Sequence, residues 1–201
     1  MEKFNFTLFL ITLGLVFSVS IIYAEMTKER SGNDITGKKV VFLTSTTHQG
    51  DFGGVADADT ICNDLAATNA ELTGRHFKAW VSDSTCSPID CFTKYHDIPY
   101  VLPNGDQIAE NWGQLTNTTL EHAINIDEKG MLINSYLDVW TNTTYNGTIY
   151  DKDNNCINFT WRDITTQNWA YIGDSSRRGK ERSIYKSSSC HKENRLYCVE
   201  Q

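Results

Sequence analysis

Six cysteines behind an export signal constrain this chain more than any other feature. Glu2 and Lys3 precede an apolar run from Phe4 to Tyr23, interrupted by Asn5, Thr7, Thr12, Ser18 and Ser20, and Ala24 offers a small residue before Glu25. That pattern predicts a signal peptide over residues 1–24, the alternative for a run of this length being an uncleaved membrane anchor. Export delivers the chain to an oxidising compartment, where an even number of cysteines reads as disulfides. Positions 62, 86, 91, 156, 190 and 198 include no Cys-x-x-Cys pair and no zinc-ligand spacing, so disulfides are expected rather than a metal site. Fifteen connectivities are open to six cysteines. Proximity favours Cys86 with Cys91 as a local loop. The last cysteine sits in Leu196-Tyr197-Cys198-Val199, an apolar run that predicts a buried final strand tied back to the start of the domain.

After signal removal no further membrane span is expected, and residues 25–201 suit one domain with a sizeable core. The formal net charge of −7 argues against nucleic acid or an anionic membrane as the main partner, since both need a positive field. Residues 25–37 are polar and unpatterned and read as a flexible leader, which places the domain over residues 38–201.

Within that domain, residues 38–46 predict a central strand from their continuous apolar middle, Val40-Val41-Phe42-Leu43. Gly50, Gly53 and Gly54 mark a turn. Val55, Ala58, Ile61, Cys62, Leu65 and Ala66 then form a helical stripe within residues 55–69, which turns Cys62 toward the core. Further strands are predicted at 76–82, 100–102, 107–109, around 138–141, and at 156–161. Residues 111–122 fit either a loop or a short helix, while 142–155 and 173–189 read as polar loops, the second of them basic. Trp80, Trp140 and Trp161 fall in strand-like runs and are expected in the core, whereas the pattern assigns no side to Trp112 and Trp169.

The order of these parts resembles the endostatin-like branch of the C-type lectin-like fold, and is particularly similar to bacterial exported and lipoprotein domains of unknown function in that branch. The matching residues are Gly53-Gly54 before the helix with Cys62, then Gly74-Arg75-His76-Phe77-Lys78-Ala79-Trp80-Val81-Ser82. Asn111-Trp112, Val139-Trp140 and Asn155-Cys156 follow, and the match closes on Cys190-His191 with Leu196-Tyr197-Cys198-Val199-Glu200. The resemblance implies an α+β fold, a single disulfide-stapled domain in which Cys62 pairs with Cys198 and Cys156 with Cys190. The Cys86 and Cys91 link has no counterpart there. Calcium-dependent lectins of the superfamily carry a Glu-Pro-Asn or Gln-Pro-Asp triplet and a Trp-Asn-Asp triplet before the third cysteine. Here no carboxylate immediately precedes Pro103-Asn104-Gly105, and Tyr185-Lys186-Ser187-Ser188-Ser189 precede Cys190, so the usual sugar–calcium site is not expected. The zinc-binding N-terminal histidines of endostatin have no match either.

Asp151, Asp153 and Asn155 alternate as the opening of a calcium loop would, but Cys156 stands where that loop needs glycine and Arg162 where it needs glutamate. An EF-hand is excluded, leaving an irregular cation site or a solvated turn. Arg177, Arg178, Lys180 and Arg182, with Lys186, suit a sulfated or otherwise anionic glycan, or else form a solvated loop. Glu181 rules out a phosphate-binding loop there, because it occupies the position that needs Ser or Thr. Tyr145 is the loop aromatic best placed for ligand contact. Histidines at 48, 76, 96, 122 and 191 form no His-Glu-x-x-His helix, no Gly-x-Ser-x-Gly elbow occurs, and no catalytic constellation or cofactor site is found. Glycan acceptor triplets begin at Asn117, Asn142, Asn146 and Asn158.

The expectation that follows is a non-catalytic binding module, secreted or periplasmic, that takes an extracellular glycan or protein without calcium, metal or cofactor. Its alternatives are an exported hydrolase using Asp151, Asp153 and a histidine, and an interaction domain of a surface assembly.

Overall fold

The computed structural model describes residues 34–117, 119–160 and 168–201. The expected signal peptide, residues 25–33 of the leader and Trp161 lie outside the described residues. Among the described residues no helix is long and apolar enough to cross a membrane.

The continuous apolar run forms β1 (Lys39–Leu43), and both of its faces are buried. Val40 and Phe42 enter one core cluster, Val41 and Leu43 the other. The last strand, β8 (Tyr197–Glu200), runs antiparallel beside it with Phe42 opposite Cys198, and splits in the same way: Cys198 faces the first cluster, Tyr197 and Val199 the second. On the other side of β8 lies β2 (Phe77–Ala79), also antiparallel. β3 (Tyr100–Val101) is parallel to β1, and β4 (Gln107–Ala109) returns antiparallel to β3. The five-stranded order is therefore β2-β8-β1-β3-β4. A second, three-stranded antiparallel sheet is built from β5 (Asp138–Trp140), β6 (Trp169–Asp174) and β7 (Lys186–Ser189), with β6 in the middle.

The helical stripe forms α1 (Val55–Ala66), which buries Ala58, Cys62 and Ala66 in the first cluster. Asn63 docks it on β2, accepting from Phe77 N at 2.9 Å and donating to Phe77 O at 2.8 Å. Three one-turn helices follow: α2 (Pro88–Cys91), α3 (Trp112–Leu115) and α4 (Cys156–Phe159). Asn111 caps α3 through Gln114 N, and Trp112 is buried in the second cluster against Trp80 and Phe92. Trp80 and Trp140 are core residues and Trp169 is half-buried. The mixture is α+β, with two sheets, short helices and three disulfides. The disulfides are Cys62–Cys198, Cys156–Cys190 and Cys86–Cys91, spanning 136, 34 and 5 residues.

The compact unit spans Ile35–Gln201, with Ile35 buried in the first cluster and its carbonyl accepting from Arg75 Nη2 at 3.2 Å. Two sequence expectations are corrected. The strand expected at 156–161 is, over its described part, the turn α4, whose four residues Cys156, Ile157, Asn158 and Phe159 have φ of +53, +54, +54 and +57°. Left-handed backbone costs roughly 1–2 kcal/mol per L-residue. It persists because both ends are held: Cys156 is bonded to Cys190, and the Phe159 carbonyl accepts from Gly53 N at 3.0 Å and Gly54 N at 3.1 Å. In sequence Ile157, Phe159 and Trp161 alternate with Asn158 and Thr160, the period of a strand, whereas the residues buried here are Cys156 and Phe159, three apart. The loop expected at 173–189 contains the end of β6 and all of β7. Three serines carry no apolar alternation, so here backbone pairing with β6 decides the conformation.

Loss of the longest disulfide should be the costliest. In the chain-entropy model Cys62→Ala with Cys198→Ala removes about 5 kcal/mol and Cys86→Ser with Cys91→Ser about 2 kcal/mol, a ranking that denaturant unfolding of the oxidised proteins will test. A pH effect arises at Asp59, which accepts from Ala79 N at 2.8 Å and whose carboxyl burial pushes up to about 6 from 3.8. The folded state then holds this proton more tightly than the unfolded chain, so the Asp59 share of stability is present below 3.8 and lost as pH rises through about 6. Urea unfolding across that window should show a shallower decline for Asp59→Asn; an unchanged decline would refute the assignment.

Candidate functional site

The loop between β5 and α4 carries the acidic candidates. Asn142 opens it in a buried left-handed position, where its Nδ2 donates to Ser82 O at 3.1 Å and Asp151 O at 2.6 Å. Asp151 folds the next segment around its own carboxylate: Oδ1 accepts from Asp153 N at 2.9 Å and Asn154 N at 3.0 Å, and Oδ2 from Asn154 Nδ2 at 3.0 Å. Those bonds, the Asn154 side chain first, hold the carboxyl below its ordinary range. Asn155 is buried and caps α4, accepting from Asn158 N at 2.8 Å. Asp153 is exposed. The alternation that suggests a cation loop is thus an Asx turn followed by a helix cap, and among the described residues no three His, Cys, Asp or Glu side chains converge.

Of the basic candidates, Lys180 and Arg182 meet Tyr145, while Arg177 and Arg178 have other partners. Lys180 Nζ lies 4.9 Å from the centre of the Tyr145 ring, Arg178 Nη1 donates to Glu121 O at 2.9 Å, and Arg177 Nε pairs with Asp174 at 3.2 Å. Arg182 departs from the expectation of a surface cation, being only 3% exposed. Its Nη1 donates to the carbonyls of Arg178 and Gly179, and its Nη2 to those of Leu115, Asn117 and Tyr145, at 2.7–3.5 Å. Burial pulls its pKa down to about 10, with Tyr197, Glu181 and Tyr145 opposing the shift. A guanidinium is the side chain whose fixed fork can clamp several carbonyls at once, so Arg182 is a buried tie between three loops.

The sequence reading found one strand of the small sheet, β5, and missed the other two. Ala170 and Ile172 of β6 enter the core while Trp169 and Tyr171 turn to its other face. There Tyr171 meets Tyr150 at 4.4 Å and Trp169 at 5.1 Å between ring centres, and desolvation, then Tyr150 and Asp151, raise the Tyr171 hydroxyl pKa. The period-two alternation of Trp169-Ala170-Tyr171-Ile172 is the signal that marks this strand. Along β7 runs an open cleft of about 600 Å³ whose walls include Tyr136, Asp138, Lys186, Ser188, His191 and Asn194. Lys186 stands out in sequence only as one more cation of the basic stretch, and Tyr136 not at all. A second cleft of about 460 Å³ lies near Leu102, Asp106, His122 and Leu132, where His122 Nδ1 is 2.7 Å from Gln107 O.

The sequence matches no family model and no curated protein. Arg182→Ala should lower stability by about 3 kcal/mol in urea unfolding, since several buried carbonyls lose their donor, and Arg182→Lys should recover less than half, an ammonium being unable to span them. A surface role for Arg182 would instead leave both variants within about 0.5 kcal/mol of the parent.

Proposed function

We propose that this chain is a secreted, non-catalytic binding module of the C-type lectin-like fold, endostatin-like branch, recognising an extracellular glycan or protein surface without calcium. The observation that carries the reading is the position of the exposed tyrosines. Tyr136, Tyr150 and Tyr185, 74, 48 and 47% exposed, all border the small sheet, Tyr136 at the cleft along β7 and Tyr150 against Tyr171, which also meets Trp169. Aromatic surface of this kind gains little for folding and is enriched where proteins bind ligands. Three disulfides fit an extracellular, oxidising setting. The ordered cysteines and tryptophan motifs support the fold assignment, and the missing calcium triplets, with Asp151 turned onto its own backbone, support calcium independence.

Thermal melts of the oxidised protein test this. Calcium and a chelator should give the same Tm, while a glycan or protein ligand at a hundredfold its Kd should add about 2.7 kcal/mol. A calcium-dependent rise, or turnover abolished by one point substitution, would overturn the reading.

A further inference from the structure

The triplets that begin at Asn117, Asn142, Asn146 and Asn158 match the acceptor pattern for an N-linked glycan, and the fold treats them differently. Asn142 is fully buried, and its Nδ2 donates to Ser82 O at 3.1 Å and Asp151 O at 2.6 Å. A sugar on that nitrogen would break both bonds and force the loop out of the core. Asn158 lies half-buried in the left-handed turn α4, where its Oδ1 accepts from Ser84 N at 3.0 Å and from Asn155 Nδ2 at 2.9 Å. The hydroxyl of its triplet, on Thr160, is turned away and donates to Ile157 O at 2.6 Å. Asn117 is exposed but belongs to the Arg182 clamp: its N–H donates to Gln114 O at 3.0 Å and its carbonyl accepts from Arg182 Nη2 at 2.7 Å.

Asn146 has another setting. It is exposed at the tip of a turn in which Gly147 N donates to Thr144 O and Thr144 N to Thr148 O, both at 2.9 Å. The base of this turn is fixed. Gly147 is buried with φ of +88°, its carbonyl accepts from Ile89 N at 2.9 Å, and an added side-chain carbon would fall 3.2 Å from that same nitrogen, so the middle residue of the triplet is suited to glycine. At the tip the hydroxyls of Thr144 and Thr148 both donate to Asn146 Oδ1, that of Thr148 at 3.1 Å. They hold the amide oxygen against the turn, and Asn146 Nδ2 has no partner among the described residues. The amide and the hydroxyl of this triplet therefore meet on an exposed tip, and a substituent on the nitrogen displaces no bond of the fold.

We propose that Asn146 is the acceptor of an N-linked oligosaccharide and that Asn142 is not. In the transfer, Asn146 Nδ2 attacks the anomeric carbon of an oligosaccharide carried on a polyprenyl diphosphate. The C–N bond forms as the bond from that carbon to the diphosphate oxygen breaks, the diphosphate leaves with the electron pair, and one amide proton passes to a base of the transferring enzyme. This rests on the export that the binding-module reading assumes. Tyr145 precedes the acceptor, with Lys180 Nζ 4.9 Å from its ring, so a glycan at Asn146 screens that pair from large partners.

The test is expression of the full chain, with its own leader, in a eukaryotic secretory host, followed by mass spectrometry of the secreted protein and its glycopeptides before and after peptide N-glycosidase. The parent should carry a glycan on the peptide with Asn146 and none on Asn142. Asn146→Gln and Thr148→Ala should each abolish it there, while Thr148→Ser, which keeps the hydroxyl, should retain it. Thermal melts of the secreted variants establish that they are folded. A secreted parent without sugar on Asn146, a parent with sugar on Asn142, or a glycan that persists in folded Thr148→Ala overturns the inference and leaves the binding-module reading standing. A chain that never enters the secretory pathway overturns the export on which both rest.

Discussion

The insertion of β8 between β1 and β2 is the constraint on which the fold depends. β2 has no neighbour in the large sheet except β8, and β1 would keep only its short parallel contact with β3. The strand closest to the C-terminus therefore completes a sheet begun near residue 39, and with β1 it forms the wall between the two apolar clusters. Cys62–Cys198 fixes this closure from the helix side. Glu200 fixes it at the end, where its carboxylate accepts from Val40 N at 2.9 Å and pairs with Arg75 at 2.8 Å and Lys39 at 3.5 Å. Contacts so distant in sequence carry a large loop-closure cost, which a covalent link removes from the unfolded chain.

The second long disulfide acts on a different part. Cys156–Cys190 joins α4 to the residue just after β7, so the left-handed turn and the edge of the small sheet move together. Gly50 lies against this bond: a side-chain carbon there would fall 2.7 Å from Cys156 Sγ, too close for any residue but glycine. Phe159 completes the anchor by packing on Phe52 and Trp140, 4.7 and 6.0 Å between ring centres. Strain in four residues is thus offset by one covalent bond, two backbone hydrogen bonds and an aromatic cluster, and the small sheet gains a rigid base.

Much of the scaffold was legible because its signals are local. Val40-Val41-Phe42-Leu43 is apolar on both faces, as a strand between two clusters must be, and the stripe through Ala58, Cys62 and Ala66 has helical spacing. The parts that were not legible depend on tertiary context. Nothing in Cys156-Ile157-Asn158-Phe159 announces a left-handed turn, because the reasons for it lie at Gly53, Gly54 and Cys190. Ser187-Ser188-Ser189 has no propensity for a sheet and becomes a strand only beside β6. Arg182 is indistinguishable from Arg178 in sequence, yet one is a buried clamp and the other a surface group, and only the carbonyls of Leu115, Asn117 and Tyr145 make the difference.

Electrostatics then narrows the kind of ligand this surface suits. The four cations grouped by sequence are each engaged: Arg177 by Asp174, Arg178 by a carbonyl, Lys180 by the Tyr145 ring, and Arg182 in the interior. Lys186 is matched by Asp138. With a net charge of −7 on the chain, the mean field is not one that draws in a polyanion from a distance. On the binding reading proposed above, recognition at the small sheet would come from short-range contacts, aromatic faces and paired donors and acceptors, whose value is set by fit rather than by attraction at a distance. A rigid base under β7 would serve that purpose, since hydrogen bonds weaken as their geometry departs from the optimum.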